Sequence, residues 1–222
     1  METDLGHIVL IRHAHSEKNA EDRHGGEGRN LTQRGKRELD MLIEYLQSEL
    51  SVSPSVIYYT PLTQTQLTAQ FLCRALHTKC LTDERLRALN LGVLAGLSKE
   101  EAARKYPMAA ERLEKWRQGS LKIENLDIPE AENHFHFWDR GVSFLENILG
   151  RGKTKDDFVV VGTRSILILL LNILIRETDL AGKPYTMFKF DNSGVTLLRY
   201  LGQLKAKLIF QNKTTFLRRP SG

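Results

Sequence analysis

Two cysteines, Cys73 and Cys80, are all that 222 residues offer for covalent bracing. A scaffold held by a disulfide framework needs more of them in a smaller, secreted chain, so that class is excluded. Long apolar runs are also scarce. The most apolar stretch, "ILILLLNILI" at 166–175, is too short to cross a bilayer and is flanked closely by Arg164 and Arg176. It reads as a buried helix, and no membrane partner is expected. The opening "METDLGH" is acidic and lacks the apolar centre of a signal peptide. The cytoplasm is the expected compartment, and the "NLT" and "NKT" matches to the glycosylation pattern carry no weight there. Blocks of single-signed charge are missing as well. The balance is +5, with basic residues spread along the chain apart from the tail "FLRRPSG". A nucleic-acid binder clusters its basic residues and interleaves aromatics. No nucleic acid is therefore expected, and the mild positive balance suits phosphorylated small molecules. There is no internal repeat, low-complexity segment or linker.

What is present is an ordinary globular composition, 41% hydrophobic and 27% charged, at a length that can bury a sizeable core. Short apolar runs alternate with helical patterns. "HIVLI" reads as a buried strand, and 32–50 follows as a helix with Leu39, Leu42, Ile43, Leu46 and Leu50 on one face. "SVIYY" is a second strand. Pro61 then suits a first helical turn, with Leu67, Phe71, Leu72 and Ala75 continuing the helix. Residues 98–120 read as polar helices interrupted at Pro107, and 131–149 as a helix turning Phe135, Trp138, Val142, Leu145 and Leu149 inward. "DFVVVGT" is a third strand feeding the helix 165–176, and "GVTLLRYL" and "AKLIFQ" are strands meeting at a turn. This order implies an α/β fold: a three-layer α/β/α sandwich with a mostly parallel central sheet. The expected organisation is one domain over 1–222, with a helical flap inserted at about 98–135.

The chemistry concentrates where the first strand ends, in "VLIRHAHSEKN". Open α/β sheets present their sites at the carboxyl ends of strands. Arg12 offers a planar fork of donors that matches phosphate oxygens. A neutral His13 offers a lone pair that can attack phosphorus. From the dipeptide alone, a salt-bridged, solvated loop is the more ordinary reading.

Further along, the chain resembles the histidine phosphatase superfamily, whose best-known members are the cofactor-dependent phosphoglycerate mutases. "LIRHAHSEKN" is similar to its signature, with Arg12, His13, Ser16 and Asn19 at the expected places. "NLTQRGKREL", "YTPLTQTQLTAQFL", "RLRALNLGVLAGLSKEEAARKYP", "IPEAEN" with Arg140, "FVVVGTRSILILLL" and "DNSGVTLLRYL" then follow in the family's order, covering 8 to about 216. The resemblance implies a phosphoglycerate mutase-like fold, with His13 as nucleophile and Arg12 as phosphate clamp.

Departures from the family pattern fall at the chemistry. Where the family has a second phosphate-binding arginine this chain has Gln64; its proton-donating glutamate is Ala88, and its second histidine is Thr163. The glycines after the two histidine positions are Ala14 and Arg164. Arg164 is a candidate surrogate clamp, and Glu132, which matches a family carboxylate, is the leading candidate acid ahead of Asp83 and Glu84. Asn19, Ser16, His15, Gln64, Thr163 and Arg23 are candidate phosphate or ligand contacts. Arg29 and His24 lie in the same first loop. His134 and His136 are two apart on a helix and face different ways, so neither a metal nor a cofactor is expected.

The expected function is a histidine phosphatase fold with a phosphate-binding pocket but impaired catalysis, a pseudophosphatase acting by binding a phosphorylated ligand, inorganic phosphate or a protein partner. The first alternative is a phosphomonoesterase working through a phosphohistidine on His13 in a rearranged site. The second is a structural or interaction module. Mutase activity is the least expected, because the fitted acid is missing. The oligomeric state is left open.

Overall fold

The computed structural model describes residues 6–25, 28–50, 52–149, 156–175 and 185–218. Its centre is one six-stranded sheet in the order β3-β2-β4-β1-β5-β6. The strands are β1 (His7–Arg12), β2 (Pro54–Tyr59), β3 (Lys79–Thr82), β4 (Asp157–Gly162), β5 (Val195–Gly202) and β6 (Lys205–Lys213). β3, β2, β4 and β1 run parallel; β5 pairs antiparallel with both β1 and β6.

Central strands are buried on both faces, so they are continuous apolar runs. In β1, Ile8 and Leu10 enter one core while Val9 and Ile11 enter the other, and all four are fully buried. The second core is covered by α2 (Gln33–Glu44), which continues into a wide turn over Tyr45–Glu49, and by α3 (Thr63–Ala75). The first is covered by α4 (Lys99–Lys105), α5 (Pro107–Arg117), α6 (His134–Leu149) and α7 (Arg164–Ile175). A one-turn helix, α1 (Glu17–Ala20), follows β1. This is an α/β fold with a mostly parallel sheet between helical layers.

α7 is buried at nine of its twelve positions. Its one buried polar residue, Asn172, is satisfied: Nδ2 donates to the carbonyls of Ile168 (2.8 Å) and Thr186 (2.9 Å), and Oδ1 accepts from the Thr186 N–H (2.8 Å). A polar group in so apolar a helix must be paired, and here the pairing ties the 185–188 segment to the core.

α6 buries Leu145 and Leu149 as expected, and Trp138 and Val142 pack part-buried against the same core. Phe135 is instead 65% exposed, and Phe137, Gly141 and Phe144 complete the buried face. α7 packs closely on Gly141: a Cβ there would come within 2.7 Å of Leu169 Cδ2. β3 is a further departure, a short edge strand that hydropathy does not signal. Cys73, near the end of α3, and Cys80 in β3 are joined by a disulfide, a local staple rather than a framework.

Candidate functional site

The parallel register decides which residues meet. Arg12 stands opposite Gly162, and the His13 N–H donates to the Gly162 carbonyl (3.1 Å). The ends of β1 and β4 therefore bring residues 12–13 beside 163–164. β2 ends alongside, where the Thr60 N–H donates to the Val161 carbonyl (3.1 Å), so α3 starts with Gln64 at the same edge. A cavity of about 430 Å³ opens there.

Arg12, His13, Gln64, Ala88, Thr163 and Arg164 form the inner end of this cavity. His13 is 4% exposed. Its Nδ1 lies 2.8 Å from the Ala14 carbonyl. A carbonyl only accepts, so Nδ1 carries the proton and Nε2 holds the lone pair. Burial, and then the Arg12 charge, push the imidazole down to about 3, so it is neutral at physiological pH. Burial and the neighbouring Arg164 bring Arg12 down to about 10, against the pull of Asp191 and Glu38, and it stays a cation. Arg12 Nη1 donates to the Phe190 carbonyl (2.8 Å). Its Nε and the Thr163 hydroxyl are both buried without a hydrogen-bond partner. Buried donors are normally satisfied, and these two border a cavity beside a neutral histidine.

The loop after β1, residues 13–19, is braced from several sides. Glu38, 4% exposed, accepts from the His15 N–H (2.9 Å), the Ser193 hydroxyl (3.2 Å) and Arg34 Nε (2.8 Å). Thr68 accepts from the Ala14 N–H (3.1 Å). Asn19 Oδ1 accepts from the Ser16 N–H (3.0 Å) and hydroxyl (2.9 Å), and from Asn192 Nδ2 (3.1 Å). Gly35 lets α2 touch the loop: a Cβ there would stand 2.0 Å from the His15 carbonyl oxygen.

The flap end of the cavity is supplied by α4, α5 and the 21–25 loop. Lys99, Glu114, Trp116 and Arg117 line it, together with Asp22, Arg23 and His24. Burial depresses Arg117, and burial with Arg117 and Lys99 takes His24 down to about 4. With Lys18, the cavity gathers six basic side chains against the two carboxylates of Asp22 and Glu114, counted among the described residues. Those carboxylates are engaged: Lys99 pairs with Asp22 (2.8 Å), and Gln118 donates to Glu114 (3.0 Å).

Several candidates from the sequence stand elsewhere. Glu132 does not line the cavity; Arg140 holds both its oxygens, at 2.7 and 2.9 Å. The fold uses that pair to tie α6 to the 85–88 segment, since Arg140 also donates to the carbonyls of Arg85 and Ala88. Asp83 is bound by Arg85 and Glu84 by Arg87, also away from the cavity. His15 points Nδ1 at Thr32 Oγ1 (2.9 Å) rather than into the cavity, and Ser16 is buried against Asn19. Arg29 is exposed and lies outside it. Arg23 lines the cavity but pairs with Glu21 (2.7 Å), Glu101 (3.4 Å) and the Gly96 carbonyl (2.9 Å). Arg164 is exposed yet lines the cavity, and its charge acts on both Arg12 and Arg117.

Sequence reasoning missed Lys18, Lys99, Glu114, Trp116 and Arg117. Their only signal was membership of the signature segment and the flap. Among the described residues no group of three or more His, Cys, Asp or Glu could hold a metal ion, and no helix is long and apolar enough to cross a membrane.

The chain is similar to known proteins over most of its length. It is 27% identical over 192 residues to phosphoserine phosphatase 1 of Hydrogenobacter thermophilus, covering 86% of this chain and 85% of that one. It is 33% identical over 224 residues to the 2,3-bisphosphoglycerate-dependent phosphoglycerate mutase of Corynebacterium diphtheriae, covering 86% and 89%. Among solved structures, the alpha-ribazole phosphatase of Shigella flexneri superposes with a TM-score of 0.74 at 20% identity, over 93% of this chain and 96% of that one. The model of the histidine phosphatase superfamily (branch 1) matches residues 8–212. A neutral histidine beside an arginine at the strand ends fits that match, and the chain belongs to the histidine phosphatase superfamily.

Proposed function

We propose that this protein binds a phosphomonoester at the inner end of its cavity and turns it over slowly, through attack by His13 without an efficient proton donor. The observation that carries this reading is the neutral His13 beside two orphaned donors, Arg12 Nε and Thr163 Oγ1. A phosphoryl group there would take hydrogen bonds that nothing else supplies. Arg164 adds a second cation at the same end, where equatorial oxygens carry spread negative charge.

The step has a plain balance. The Nε2 lone pair forms a bond to phosphorus, the bond to the leaving oxygen breaks, and that oxygen needs a proton. Water then hydrolyses the phosphohistidine. Ala88 lines the cavity where the family resemblance implies the acid, and Ala88 donates nothing. Asp22 and Glu114 are held by Lys99 and Gln118. General acid catalysis contributes typically about 10²–10⁴-fold, and this factor is the one missing.

The test is leaving-group dependence. p-Nitrophenyl phosphate, whose leaving group needs no proton, is expected to turn over slowly, and His13→Ala is expected to abolish it. Glycerol phosphate, with an alkoxide leaving group, is expected to turn over at least about 10²-fold more slowly still. Equal rates on the two esters would mean that a working acid exists. No His13-dependent turnover on either, with vanadate still raising the melting temperature by mass action, would leave a binding protein only.

A further inference from the structure

The two cysteines take no part in the chemistry at His13. Cys73 lies in the last turn of α3 and Cys80 in β3, joined by a disulfide. The chain turns back between them at His77, whose φ of 51° lies in the left-handed region. Both flanks are fixed by backbone rather than by sulfur. Cys80 stands opposite Ile57 in the parallel pairing of β3 with β2. The Thr78 N–H donates to the Cys73 carbonyl (3.1 Å), and its hydroxyl donates to the Pro54 carbonyl (2.8 Å). The two Cα atoms, 6.0 Å apart, are therefore kept together even with the bond open. Cys80 Sγ also lies 3.3 Å from the Ala69 carbonyl oxygen. A disulfide sulfur has no proton to give and a thiol has one, so the open state finds an acceptor already in place.

The two sulfurs are not equivalent. Cys73 is 8% exposed, whereas Cys80 is part-buried on the outermost strand of the sheet. A thiol arriving from solvent meets Cys80 first. The segment that carries both reads "CRALHTKC": Arg74, His77 and Lys79 are exposed, and there is no carboxylate among its eight residues. Its local charge favours an anionic attacker.

We propose that Cys73–Cys80 is a reversible thiol–disulfide site, opened and closed by an anionic low-molecular-weight thiol of the glutathione class. The incoming thiolate attacks Cys80 Sγ. The S–S bond breaks, its electron pair passes to Cys73, and Cys73 takes a proton from solvent. This leaves a mixed disulfide on Cys80. A second thiolate attacks the sulfur of the bound small thiol and releases the Cys80 thiolate, which also takes a proton. The two small thiols leave joined as their own disulfide. They are oxidised, and the protein gains two electrons and two protons. Closing runs the same steps backward, with Cys73 as the resolving thiol. The closed bond fastens β3, which pairs with β2 alone, onto α3. The open state leaves β3 to its strand pairing.

The test does not depend on the reading of the inner end. The whole protein is equilibrated in glutathione buffers from reducing to oxidising, alkylated with iodoacetamide and analysed by mass spectrometry. Both cysteines are expected to move together, from two labels to none, without denaturant. Reduced protein given oxidised glutathione and quenched early is expected to carry the tripeptide on Cys80 at least about tenfold more often than on Cys73, because access decides which sulfur reacts. Cys73→Ser is expected to retain that adduct. Opening by glutathione is expected to slow with added salt, and opening by cysteamine, a cationic thiol, to quicken. The reduced protein is expected to melt about 5 °C below the oxidised one. A bond that opens only in guanidinium chloride, sulfurs that never join, or adducts on Cys73 in place of Cys80 overturn the proposal. One salt response for both thiols, or equal melting temperatures, overturns it as well. If Cys73→Ser does not fold, the early-quench map of the parent protein decides which sulfur is attacked.

Discussion

The two ends of the cavity are made by different means. The inner end is made by backbone: strand register sets Arg12 beside Gly162, and carbonyls fix both Arg12 and the His13 tautomer. It keeps two buried donors unpaired. The flap end is made by side chains on short helices and a loop, and most of its charges meet one another, as in Lys99–Asp22 and Arg23–Glu101. On the proposed reading, the inner end is prepared in advance for one kind of group, an oxyanion, and preorganisation is worth most where the reacting atom sits. The flap end keeps one buried donor of its own unpaired, Trp116 Nε1, among charges that are mostly paired.

This contrast can be broken most severely at Gly35. A helix-interior Gly→Ala change ordinarily gains about 1 kcal/mol. Here the new Cβ would meet the His15 carbonyl at 2.0 Å, so Gly35→Ala is expected to cost about 3 kcal/mol instead. Urea unfolding reads the sign. A stabilised variant would mean that the 13–19 loop is not held by close contact with α2. Next in size is Arg164→Ala, expected to weaken vanadate binding about tenfold or more, as for loss of a charged hydrogen bond. An unchanged affinity would remove Arg164 from the inner end.

Acid sharpens the comparison further, since each end has a depressed histidine. His13 and His24 hold near 3 and 4 in the folded state, against about 6.5 when unfolded. The unfolded chain therefore binds protons that the native state refuses. Their contribution to stability is present above about pH 6.5 and is lost as pH falls toward 4. Melting temperatures between pH 7 and 4 are expected to fall, less steeply in His24→Asn. The smallest effect belongs to Arg23→Ala. Its ion pairs are exposed, and such pairs contribute well under about 1 kcal/mol. Unfolding free energy and vanadate affinity are both expected to stay close to the parent's, and a large loss in either would give Arg23 a role in the inner end.

The inner end was legible because its residues are consecutive. "LIRHAH" and "VVVGTR" each carry a strand and its terminal side chains in one stretch, and apolar runs of that kind read directly as buried parallel strands. The flap end was not, because Lys99, Glu114 and Arg117 are ordinary charges on amphipathic helices until the fold turns them inward. Glu132 misled for the same reason in reverse: its motif position suggested an acid, while Arg140, eight residues on, claims both its oxygens. Hydrophobicity likewise misplaced one residue of α6, Phe135, which stands outside while Gly141 on the same helix is buried against α7. β3, four residues long and outermost in the sheet, has too little apolar pattern to announce itself.

The bracing of the 13–19 loop has a consequence for the order of folding. Arg12 bonds to Phe190, the His13 carbonyl to Asn192, and Glu38 to Ser193, across separations of 178, 179 and 155 residues. Contacts so remote in sequence are slow to form, since the intervening chain must first be ordered. The β2–β3 pair and the packing of α3 against it close over far shorter spans. The proposed capacity to bind an oxyanion should therefore arrive late in refolding, with the docking of β5 onto β1, and vanadate binding would report finished chains rather than compact ones.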